Sequence, residues 1–136
     1  MMKGRNIVSR SALGAAGILM VLTAGFHAIG YVPLTRQLAA SNLESFWLAG
    51  VKGLWLVFSL HLFIVGALFI AAAIAPPVVG RVVLIIAGLV PAGDTVMLLA
   101  FVGVFVGTIS LGIAALLVYL GVALRRDGVT AQSSGT

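Results

Sequence analysis

Asp94 is the one acidic side chain inside a long apolar run, in Leu89-Val90-Pro91-Ala92-Gly93-Asp94-Thr95-Val96. A carboxyl at bilayer depth costs roughly 3 kcal/mol on insertion scales, so it faces a partner or a cavity. In an apolar pocket it stays protonated, and a neutral acid donates a proton to an alkene or epoxide or hydrogen-bonds a hydroxyl. Isomerisation, cyclisation or epoxide opening of a lipophilic molecule fits that chemistry. His27 is the candidate base or relay beside Asp94. Ser59, His61, Trp55, Thr95, Thr108 and Ser110 are candidate contacts for the ligand.

These residues are placed by apolar segments. Of 136 residues, 62% are apolar and 8% charged, and the mean hydropathy is +1.25. A soluble domain carries about 25% charged residues. Too few polar side chains exist to cover a surface in water, so lipid must be the main solvent. The net charge of +5 forms no basic stripe, and no nucleic-acid partner is expected. With no cysteine, disulfides, thiolate metal sites and thiol catalysis are excluded.

Four apolar runs predict four transmembrane helices, at about 12–32, 46–75, 82–101 and 104–124, each near the roughly 20 residues a bilayer requires. The fold expected is an all-α four-helix membrane bundle within a single domain, 1–126, followed by a flexible polar tail, 127–136. A tight turn near Gly103 separates the last two helices. Ser41-Asn42-Leu43-Glu44 matches a capping box for the second helix, with Ser41 as N-cap, and Ala75-Pro76-Pro77 ends it. Pro91, three residues before Asp94, predicts a kink that opens the third helix. Residues 33–45 are expected to form a short amphipathic lid on the outer surface.

Lys3, Arg5, Arg10, Arg81, Arg125 and Arg126 fall on one side and Arg36 and Lys52 on the other. This bias predicts both termini in the cytoplasm, in a bacterial inner membrane. Helix rise then brings His27, Ser59, Asp94, Thr95, Thr108 and Ser110 to one depth in the outer half. A polar pocket open to that side is the reading this supports. Structural uses stand beside it: Ser and Thr bond their own helix backbone, and Asp94 pairs with His27 or Lys52 to lock the bundle.

His27 and His61 on two helices suggest haem ligation. Their depths differ by about one turn, roughly 5 Å, so no cofactor is expected, and no metal. Two small-residue series predict helix contacts: Lys52, Ser59, Gly66 and Ala73 in the second helix, and Gly103, Gly107, Ser110, Ala114 and Gly121 in the fourth. Trp47, Trp55 and Tyr31 read as interfacial anchors.

Besides the lipophilic-ligand pocket, two other functions fit. One is a structural or accessory subunit of a larger membrane complex or homo-oligomer. The other is a small proton-coupled transporter. Small four-span multidrug exporters carry their carboxylate in the first helix; this chain has none there, which argues against membership.

Overall fold

The computed structural model describes residues 2–125, with side chains from Gly4 onward. The tail expected at 127–136, Arg126 and the Lys3 side chain lie outside the described residues. Five α-helices follow one another: α1 Met2–Ile29, α2 Tyr31–Ala39, α3 Ser45–Ile74, α4 Arg81–Phe101 and α5 Val106–Leu124, with a 3-10 turn at Pro76–Val78. No strand occurs among the described residues. Four helical spans are long and apolar enough to cross a membrane, α1 and α2 together forming the first.

The first span is longer than the expected 12–32, because α1 begins in the basic N-terminal segment. It stops at Ile29 because Pro33, lacking an N–H, cannot donate to the Ile29 carbonyl. The chain resumes at once as α2, with Pro33 tolerated in its first turn. The segment expected as a lid at 33–45 is therefore largely this helix, packed on α3 with Leu38 buried.

The capping box is not formed. The Ser41 hydroxyl donates to the Leu38 carbonyl at 2.7 Å and so closes the end of α2. Glu44 is the N-cap of α3, through its backbone carbonyl alone. Pro76 and Pro77 do end α3, at Ile74. Two arginines satisfy the carbonyls left over there. Arg10 donates to Ala73 and Ile74, and Arg125 to Pro76 and Val79.

α1 is the centre of the bundle, packed on one side against α3 and on the other against α5; α4 packs mainly on α5 and touches α3 little. The core runs from Leu13, Ala16 and Met20 of α1 to Leu62 and Phe69 of α3 and Leu111 and Val118 of α5. In lipid the drive for such packing is close contact rather than water exclusion. At the α1–α3 crossing a methyl on Gly17 would lie 2.6 Å from the Gly66 carbonyl oxygen, and one on Gly66 would lie 2.9 Å from that of Gly17. Ser59, Gly66 and Ala73 of the α3 series all face α1, where they meet His27, Gly17 and Gly14.

The α5 series serves two purposes. Ala114 and Gly121 face the core, and the Ser9 hydroxyl donates to the Gly121 carbonyl at 2.6 Å. Gly103 instead lies in the α4–α5 turn with φ +93°, a conformation that favours glycine. Phe105 fills the space beside Gly107. The Gly103–Gly107 pair is thus a turn feature and not a helix crossing.

Large apolar side chains cover the outside. Phe26, Leu54, Phe101 and Leu116 are each 70% exposed or more. In water such a surface would aggregate. Against lipid tails it is a matched solvent contact.

Candidate functional site

The nearest polar partner of Asp94 comes from α3. His61 Nε2 lies 2.9 Å from Asp94 Oδ2. The pair bridges α3 and α4, two helices that otherwise meet only slightly. Around both side chains the same-face neighbours in sequence are apolar: Val57, Val65, Val90 and Leu98. His61 retains 32% of its side-chain exposure and Asp94 20%. Among the described residues, His61 Nδ1 and Asp94 Oδ1 make no hydrogen bond to protein, so the pair offers both a ring nitrogen and a carboxyl oxygen to a third molecule.

The α4 backbone positions Asp94 differently from the sequence expectation. α4 is continuous through Pro91, and Pro91 is buried. The Thr95 hydroxyl donates to the Pro91 carbonyl at 2.6 Å, reinforcing the turn that holds Asp94. α4 therefore runs past Pro91 without an interruption beside Asp94.

His27 does not pair with Asp94; it belongs to a second cluster. Its Nδ1 lies 2.9 Å from Ser59 Oγ, and its ring stacks on Trp55 with centroids 4.0 Å apart and planes 19° apart. The Trp55 indole N–H donates to the His27 carbonyl at 2.8 Å. Ser59 also reaches the Trp55 carbonyl at 3.2 Å. Both side chains are thus tied to backbone and to each other. The absence of a side chain at Gly30 lets the indole close over the α1–α2 junction, since a methyl there would sit 2.9 Å from Trp55 Cζ2.

Phe58 separates the two imidazoles. Its ring centroid is 4.8 Å from that of His27 and 4.8 Å from that of His61, edge-on to the latter. The two rings therefore do not face a common metal position, and no group of three potential metal ligands occurs among the described residues. The sequence reading did not single out Phe58. Its signal was the spacing of Trp55, Phe58 and His61, three apart on one helix.

The remaining candidates lie elsewhere. The Thr108 hydroxyl is buried and donates to the Gly103 carbonyl at 2.9 Å, closing the α4–α5 turn. Ser110 lines a separate groove of about 180 Å³ between α1 and α5, with Leu19, Leu22, Thr23, Phe26, Val106 and Gly107. The residues expected to share one pocket are thus distributed over the His61–Asp94 pair, the Trp55–His27–Ser59 cluster, the turn and this groove. Thr95 stands one residue from Asp94 with its methyl towards Gly112 of α5.

Together these features define an all-helical protein with four membrane-length helices and an imidazole–carboxylate pair at an open helix seam. No protein family, curated protein or solved structure matches the chain.

Proposed function

We propose that the chain is a small integral protein of the bacterial cytoplasmic membrane, with both termini inside, that binds a lipophilic small molecule at the His61–Asp94 pair. The polar head of the ligand meets the free edges of the pair, and its apolar body lies along the α3–α4 seam. The observation that carries this reading is a partly exposed imidazole–carboxylate pair, 2.9 Å apart, in otherwise apolar surroundings. Each group is within hydrogen-bond distance of the other, so neither polar side chain is left without a partner. The pair therefore tolerates lipid contact while keeping a proton to give and a site to receive one. Asp94 is the group proposed to touch the ligand as acid or hydrogen-bond donor. His61 orients it and exchanges its proton, the role that the sequence alone suggested for His27. Acid-assisted isomerisation, cyclisation or epoxide opening is the reaction class within reach of these two groups.

A second reading rests on the same contact. α3 and α4 touch little elsewhere, so the pair also serves as a polar fastener in a structural subunit of a larger complex. Native mass spectrometry of the gently extracted protein, beside Asp94→Asn and His61→Phe, separates the two. A discrete small-molecule mass in the wild type that both variants lose supports the ligand site. An empty wild type that co-purifies with another membrane protein supports the fastener and overturns the ligand reading.

A further inference from the structure

The opposite part of the chemistry lies at the helix ends that flank the α3–α4 connection. Arg10 of α1 and Arg125, at the end of α5, both lay their guanidiniums on this connection. Arg10 Nε is 2.7 Å from the Ala73 carbonyl and its Nη2 is 3.3 Å from that of Ile74. Arg125 Nη2 bonds the carbonyls of Pro76 and Val79, the latter at 2.6 Å.

These contacts hold two guanidiniums in place using neutral carbonyls, and among the described residues neither is paired with a carboxylate. Only three acids occur in the chain. Glu44 caps α3 at its other end, and Asp94 is committed to His61. The third, Asp127, lies outside the described residues. Arg125 Nη1 is buried and makes no hydrogen bond among the described residues. Arg10 is exposed, so its outer edge is open.

We propose that this end of the bundle is a binding site for the phosphate of an anionic phospholipid, with Arg10 as the exposed donor and Arg125 supplying flanking charge. The backbone carbonyls pre-set the guanidiniums, so little side-chain freedom is lost when a headgroup arrives. Guanidinium forks suit phosphate oxygens, and basic clusters between membrane helices take anionic headgroups in the leaflet on their side. The site is independent of the His61–Asp94 pair and of what that pair binds.

The test uses the full chain, stripped of lipid in neutral detergent, titrated with phosphatidylglycerol or with phosphatidylcholine of the same acyl chains and read by native mass spectrometry. Each arginine near a charged surface contributes about fivefold in affinity, so the wild type is expected to prefer phosphatidylglycerol by roughly tenfold or more. Arg10→Gln should reduce that preference about fivefold, with Arg36→Gln, far along the chain on α2, leaving it unchanged. Equal binding of the two lipids by the wild type overturns the proposal, and this comparison holds even if a variant fails to fold. Full preference in folded Arg10→Gln overturns it too.

Discussion

His61 and Asp94, 33 residues apart in the chain, meet with Nε2 and Oδ2 at 2.9 Å and tie α3 to α4. An isolated polar side chain in lipid is expensive; here the imidazole and the carboxyl each have the other as hydrogen-bond partner. The bundle is otherwise built as α3 on α1, α1 on α5 and α5 on α4, so this contact joins its two outermost members.

A double-mutant cycle should therefore show coupling. His61→Phe and Asp94→Leu each leave one polar group without its partner and should destabilise the fold by about 1–3 kcal/mol. The double variant should recover much of that loss, because an apolar pair replaces a polar one without leaving an orphan. Reversible unfolding in mixed detergent measures each term. Strictly additive losses would mean that the two side chains do not act as a pair. The double variant also isolates function from stability: it should be folded yet empty of ligand.

The Gly17–Gly66 crossing makes a sharper steric prediction. Gly66→Ala places a methyl 2.9 Å from the Gly17 carbonyl oxygen and beside Met20 and Val21, so α1 and α3 must separate. A loss of about 1–3 kcal/mol is expected from such overpacking. Gly53→Ala on the same helix meets nothing within 4 Å. There the better helix propensity of alanine should dominate, giving a gain of about 0.5–1 kcal/mol. Thermal unfolding of the two variants side by side checks the contrast, and a Gly66→Ala protein as stable as wild type would refute the close crossing.

Orientation can be tested with single cysteines, since the chain has none of its own. Ser41→Cys, after α2, should react with a membrane-impermeant maleimide in intact spheroplasts. Ser133→Cys, in the C-terminal tail, should react only after lysis. The reverse pattern would place the termini outside and contradict the charge bias on which the orientation rests.

Much of the architecture was legible because lipid imposes it. Hydrocarbon thickness dictates the length of an apolar run, so the four spans can be counted from composition and spacing. Pro76 and Pro77 mark the end of α3, and Gly103 marks the last turn, because both effects act within a few residues of chain. Asp94 stands out by the same logic, as an acid where acids are costly.

Its partner was not legible. Depth counting assigned Asp94 to His27 or Lys52, but depth fixes only one coordinate of a side chain. The rotation of each helix and the order of packing decide the other two, and these follow from Gly17 against Gly66 and Ser9 against Gly121. That order turns His27 to Trp55 and Ser59 and leaves His61 for Asp94. Local signals likewise lost to tertiary ones at Ser41, whose hydroxyl closes α2 instead of opening α3. The sequence by itself therefore determined how many membrane-length spans there are, where α3 ends and which residue is out of place in lipid. The tertiary structure alone decided which side chains meet, because helix rotation is set by contacts between segments distant in the chain.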